Sequence, residues 1–317
     1  MLKVMRSLRA ESFEFTRIPV CVTEAVLSSF VSWHKMFMET LKILVTNDDG
    51  VRSPLITPFL AAIGAQPWCR DLRVVIPESE QSWIAQAATR KRQVVVTAHE
   101  FGPHGGYLAG GTPADCVSLG LDNLYADRAD FVFSGINLGT NTGLPFYLSS
   151  GTVGGARQAF VSGICAAALS VKLPKNVMHA WVSGDFAAFN ALAEDWHRIA
   201  AASVSVLTKL ITSQAWRYAD IFSINLPWES EEATEVAWTR LERRYYGKMF
   251  EPDNQGGFKH SFRGYRSSGS KSVNEPGKIA LRGDIDALES GLISITPISY
   301  ELEVRNEQHL ESLLAIF

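Results

Sequence analysis

Short apolar runs alternating with helix-length segments constrain this chain more than any other feature does. "LKILVT" starts at Leu41, "LRVVIP" at Leu72, "QVVVTAH" at Gln93, "DFVFSG" at Asp130 and "ICAAALSV" at Ile164. Between them, residues 54–67, 113–124 and 152–162 have helical length. Strands apolar on both faces must be covered on both faces. The pattern therefore predicts an α/β fold, a mostly parallel sheet with helices on either side. Ligands of such sheets bind at the carboxyl ends of the strands.

Later segments extend the pattern. Residues 176–216 read as helical, with Trp181, Phe186, Phe189, Leu192 and Trp196 as a core-facing stripe. "DIFSINLP" from Asp220 and "GLISITPIS" from Gly291 read as two more strands. Residues 252–278 carry Gly, Ser and charge with few large apolar groups, and are expected as a long loop or excursion. Residues 1–40 are expected as an N-terminal extension, 41–300 as the folded domain and 301–317 as a tail.

Bulk chemistry excludes several classes. A net charge of -3 gives no basic field, so a nucleic-acid duplex is not an expected partner. No apolar run reaches the roughly 20 residues of a membrane span. The four cysteines show no C-x-x-C pair and read as buried thiols in a reducing, cytoplasmic setting. Lys3, Arg6 and Arg9 precede a patchy apolar stretch, but Glu11, Glu14 and Glu24 argue against a targeting segment there. P-loop, dinucleotide and G-x-S-x-G signatures are absent.

Polar clusters stand where strands end. Asp48-Asp49-Gly50 closes the first run. Asp-Gly suits a hairpin turn, but Pro54 comes too soon for a clean return strand. An EF-hand alignment puts Val45 and Ile56 where carboxylates are required. A plain turn and a metal-binding turn both remain; in the second, a divalent cation relieves repulsion between the carboxylates, and oxygen donors favour Mg²⁺ or Mn²⁺. The second cluster is "FSGINLGTNTGLPFYLSSGTVGGARQAF", residues 133–160. Its first part reads as a glycine-rich loop bearing Asn137 and Asn141, too rich in Gly for a stable helix. Ser149, Ser150 and Thr152 read as capping residues at a helix start, which is also an anion site. Ser82 is either a loop serine or a hydroxyl ligand. "GGTPADCV" is explained structurally, by Thr112 as N-cap and Pro113 in the first turn.

Together these stretches resemble the SurE family of survival proteins, metal-dependent phosphatases acting on nucleoside monophosphates. "ILVTNDDGVRSPLI", "GTPADCV", "SGINLGTNTG", "SSGTVGGA" and "GLISITPIS" carry the resemblance, from about Leu41 to Ser299. It implies a Rossmann-like core with a smaller C-terminal subdomain. It implies one divalent ion per subunit, Mg²⁺ or Mn²⁺, held by Asp48, Asp49, Ser82 and Asn137. Asp48, Asp49 and Asn137 would be catalytic, and Asn47, Asn141, Ser150, Gly151 and Thr152 would surround the phosphate. A homodimer or homotetramer is implied. Trp83, where many bacterial members carry glycine, and the altered 143–150 loop look closer to eukaryotic, particularly fungal, members. Short polyphosphate, other phosphoesters, or nucleotide binding without turnover are the alternative activities.

Overall fold

The structure, a computed structural model, describes residues 40–253, 255–262, 265–267 and 281–300. The expected tail, the expected N-terminal extension apart from residue 40, and part of the 252–278 excursion lie outside these. Strand β1 (Leu41–Thr46) leads through helix α1 (Ile56–Gly64) to β2 (Cys69–Pro77). A hairpin, β3 (Val96–Phe101) and β4 (His104–Ala109), precedes α2 (Pro113–Asp122). Then come β5 (Phe131–Leu138), α3 (Gly143–Ser149), α4 (Gly151–Val161) and β6 (Ala166–Val171). The next segment holds α5 (Lys175–Ser183), α6 (Phe186–Asn190), α7 (Ala193–Thr212) and a 3₁₀ turn. After β7 (Ile221–Leu226) and β8 (Val236–Arg240) follow β9 (Arg244–Tyr246), β10 (Phe250–Pro252), β11 (Phe258–His260) and β12 (Tyr265–Ser267). The last elements are β13 (Arg282–Gly283), α8 (Asp284–Glu289) and β14 (Ile293–Ile298).

The main sheet has ten strands in the order β13-β8-β14-β7-β6-β5-β1-β2-β4-β3. It is parallel from β7 through β6, β5, β1 and β2 to β4. Strand β3 runs antiparallel at one edge, and β14 runs antiparallel to β7. The smaller C-terminal part takes the form of two separate two-stranded ribbons, β9 with β12 and β10 with β11. The chain goes from β1 outward to β2 and β4, then returns to the other side of β1 as β5. That reversal opens a crevice at the carboxyl ends of β1 and β5.

Both faces of the sheet are covered, as the two-sided apolar strands require. On one face Phe131 and Phe133 are buried with Phe59 of α1 and Trp68. The Trp68 indole N–H donates to Thr208 Oγ1 of α7 at 3.0 Å, satisfying the buried ring's polar edge. On the other face Leu44, Val75 and Val132 meet Val117 of α2 and Val153 and Ala156 of α4. Each large side chain so buried contributes about 1.5–3 kcal/mol. Close approach of α2 needs Gly120, where an added Cβ would lie 2.7 Å from Leu44.

Local capping sets the helix starts. Thr112 Oγ1 accepts from Asp115 N while the Asp115 carboxylate accepts from Thr112 N, a reciprocal capping box with Pro113 behind it. Three expectations need correction. Residues 176–216 are broken into α5, α6 and α7, since Gly184 takes a left-handed φ of 71° and ends α5. The run from Gln93 enters an edge hairpin rather than a parallel strand. Residues 143–149 form a helix where a loop is expected; Gly143 is their only glycine, and α3 packs against α4.

Candidate active site

The turn after β1 is built by Asn47. Its Oδ1 accepts from Gly50 N and its Nδ2 donates to Gly50 O, each at 3.1 Å. Gly50 sits at φ 75°, and a Cβ there would come within 2.9 Å of the Ser79 backbone. Both ends of the Asn47 amide are thus engaged in shaping the turn that presents Asp48 and Asp49.

The two aspartates are buried, at 4% and 3% exposure, and reach different elements. Asp48 faces the start of α4: its Oδ2 accepts from Thr152 N at 2.9 Å and its Oδ1 from Thr152 Oγ1 at 2.5 Å. Asp49 reaches β5, accepting from Leu138 N on Oδ2 at 2.9 Å. Burial raises the pKa of both carboxyls. The Thr152 bonds partly offset this for Asp48, and the neighbouring Asp48 charge raises Asp49 further. Glu80 adds to the same repulsion at both. No local pattern singles out Glu80, because it lies in a loop that is near only Ser82 along the chain.

Asn137 lies near the end of β5, where its Nδ2 donates to Gly139 O at 2.9 Å. Its Oδ1 remains the acceptor that a cation or a donor can use. Asn141 is held more deeply. Its N–H donates to Asn225 Oδ1 at 2.9 Å and its Nδ2 to Ser170 Oγ at 2.7 Å. Asn225, 1% exposed, keeps an Nδ2 without a partner among the described residues. Ser170 and Asn225 are polar residues at the carboxyl ends of β6 and β7. Neither was among the expected site residues, although each interrupts an apolar run.

Helix α4 begins beside Asp48. Ser150 Oγ accepts from Val153 N at 3.1 Å, so Ser150 is its N-cap. Thr152 directs its N–H and hydroxyl to Asp48, leaving the Gly151 N–H as the first-turn donor not committed to these bonds. Gly151 admits no side chain, since a Cβ would stand 2.9 Å from Asp48 Oδ2 and from Gln81 O. Ser82 is exposed and donates to Glu80 Oε1 at 2.5 Å, so the hydroxyl is held beside that carboxylate. The 79–87 loop carrying it is fastened by Gln81 N to Asp48 O at 2.7 Å and Ala85 N to Ser149 O at 2.9 Å, and near its end by Thr112 Oγ1, which donates to Ala87 O at 2.6 Å.

The arrangement joins three strand ends and a helix start around two carboxylates. Its donors are carboxylate, amide and hydroxyl oxygens, and they fit a hard divalent cation. Among the described residues no group of three His, Cys, Asp or Glu side chains could hold a metal ion, so a cation bound here would draw on other oxygens besides the two carboxylates, and Asn137 and Ser82 carry such oxygens.

Known proteins match this chain over the same region. A family model described as "Survival protein SurE" matches residues 43–248. A protein named 5'-nucleotidase SurE from Methanosarcina acetivorans is 31% identical, over 84% of this chain and 94% of its own length. One of the same name from Geotalea uraniireducens is 31% identical, over 83% of this chain and 94% of its own. The crystal structure of a SurE protein from Aquifex aeolicus superposes with a TM-score of 0.63 at 25% identity, covering 87% of this chain and 99% of that one.

Proposed function

This chain belongs to the SurE family, and on that premise we propose that it hydrolyses nucleoside monophosphates with one divalent ion, Mg²⁺ or Mn²⁺. The observation carrying the reading is the pair of buried, adjacent carboxylates at the crevice between β1 and β5. Two such groups held together are costly without a cation, and their raised pKa values express that cost. Asp48, Asp49 and Asn137 would hold the ion, with the Ser82 hydroxyl as a further ligand. When bound, the ion supplies charge neutralisation and acidifies water.

The chain's own groups do the rest. Thr152 fixes Asp48 through two bonds, and Leu138 N fixes one oxygen of Asp49. Asp49 has its other oxygen outside that bond, which makes it the better placed aspartate to accept a proton. The Gly151 N–H at the positive end of α4 and the Asn141 amide orient the phosphate. Ser150 acts through its cap, by holding the first turn in place.

The same reading extends to finer points. Trp83 supports closeness to eukaryotic, fungal-type members. Exposed Phe250 and Phe258 on the C-terminal ribbon support a homodimer or homotetramer. Free Cys69, Cys116 and Cys165 support a cytoplasmic location, and no described helix is long and apolar enough to cross a membrane. The test is phosphate release from AMP with Mn²⁺, Mg²⁺ or EDTA. Asp48→Asn should abolish release while circular dichroism stays native. Full activity of that variant, or full activity in EDTA, would refute the proposal.

A further inference from the structure

Beside the carboxylates lies a group of aromatic rings that phosphate chemistry does not require. Trp83 is its centre. Its ring centroid lies 5.5 Å from Phe146 of α3, 5.5 Å from Tyr246 of β9, 4.8 Å from His260 of β11 and 5.6 Å from Phe262. Phe146 and Phe262 also meet, at 5.2 Å. The rings come from the 79–87 loop, a helix and the C-terminal ribbons, so the fold assembles them from distant sequence. Yet Trp83 remains 39% exposed, which a ring serving only as core would not be.

Connectivity places this ring near the site. Gln81 is bonded to Asp48 and Ala85 to Ser149, and Trp83 is the residue midway between. It therefore lies within about 7 Å of chain from each fastening. Tyr246 Oη bonds Ser149 Oγ at 2.5 Å, one residue before the cap of α4. Trp83 also has a φ of 63°, a left-handed conformation uncommon for a bulky residue and one that surrounding contacts must maintain. The chain is thus held so that an indole projects beside the start of α4.

We propose that Trp83, backed by Phe146 and Tyr246, is the stacking platform for the nucleobase of a nucleoside monophosphate whose phosphate lies beside Asp48, at the Gly151 N–H that opens α4. The inference rests on the nucleotidase reading and adds what that reading lacks, a residue that distinguishes a nucleotide from another phosphoester. The ribose spans the interval between phosphate and ring. Stacking uses the face of a base and not its edge, so all bases bind, purines better than pyrimidines.

The test compares kcat/KM on AMP and on ribose 5-phosphate, which keeps phosphate and sugar and lacks the base. In Trp83→Ala the AMP to ribose 5-phosphate ratio should fall about 10- to 100-fold, and Trp83→Phe should recover most of it. A structural disturbance of the Ser82 loop would lower both substrates together and leave the ratio intact. An intact ratio in Trp83→Ala overturns the proposal, including the case where the variant changes the oligomer mass and the cluster proves to be a subunit contact. Adenosine binding by calorimetry separates the two readings. If the wild type hydrolyses neither substrate, the phosphatase reading fails. The platform then stands if adenosine binds the wild type and not Trp83→Ala, and falls if the two bind alike or neither binds.

Discussion

Asp284 offers a sharp test of the tertiary structure around the site. It is fully buried at the start of α8, and its Oδ2 accepts from Gly143 N at 2.6 Å, 141 residues away in sequence. Its Oδ1 accepts from Glu242 N at 2.9 Å and from Ile285 N at 3.0 Å. Leu144 N donates to Glu242 O at 2.8 Å, so the carboxylate clamps the start of α3 to the base of the ribbons. Burial outweighs these bonds and raises its pKa from 3.8 to about 6. The native state therefore holds this proton when the unfolded chain has released it. Stability from this group is fully present below pH 4 and is lost as pH rises through about 6. At 1.36 kcal/mol per unit, the loss is about 3 kcal/mol. Asp284→Asn has no proton to lose. It carries instead a constant offset, from an amide N–H set against a backbone N–H, of about 1–3 kcal/mol. Denaturant unfolding of both proteins should be followed by fluorescence from pH 4 to pH 8. Asp48 and Asp49 titrate in both and cancel. The stability of wild type minus variant should fall by about 3 kcal/mol across that range. A difference constant with pH would refute the burial and bonding of Asp284.

Other outcomes follow from the site. Gly151→Ala puts a methyl group 2.9 Å from Asp48 Oδ2 and should lower kcat/KM about 100-fold with secondary structure kept, as measured by phosphate release and circular dichroism. Thr152→Val removes a hydroxyl that holds the Asp48 pKa down, so the acid limb of the pH–rate profile should move to higher pH; an unmoved limb would show that the bond does not matter. Because both aspartates must lose protons to bind a cation, Mn²⁺ affinity by calorimetry should rise from pH 5 to pH 8 with proton release, and a pH-independent affinity would contradict the ligand assignment. Gly154→Ala should dislodge the 79–87 loop, since a Cβ would stand 1.9 Å from Ala85 O, and protease sensitivity of that loop reports it.

Local pattern along the chain specifies the class of fold and sets two adjacent carboxylates at the end of a strand. Runs such as Leu41–Thr46 and Phe131–Leu138 carry burial on both faces in their composition, which leaves only a covered parallel sheet. Thr112 and Ser150 mark helix starts because capping is a contact across three residues. Asp48 and Asp49 were legible as a pair because two carboxylates at a strand end are unusual locally. Tertiary structure decided their partners. Asp49 meets Leu138 across 89 residues and Asp48 meets Thr152 across 104, and no local pattern records which distant N–H will arrive. The same applies to Asn225 and Asp284, which matter only through residues far along the chain. Trp83 read as a departure in a loop until four rings from separate elements surrounded it. Periodicity and capping act over a few residues and are written in the sequence. Strand order and the closure of long loops depend on how the whole sheet assembles, and only the folded chain displays them.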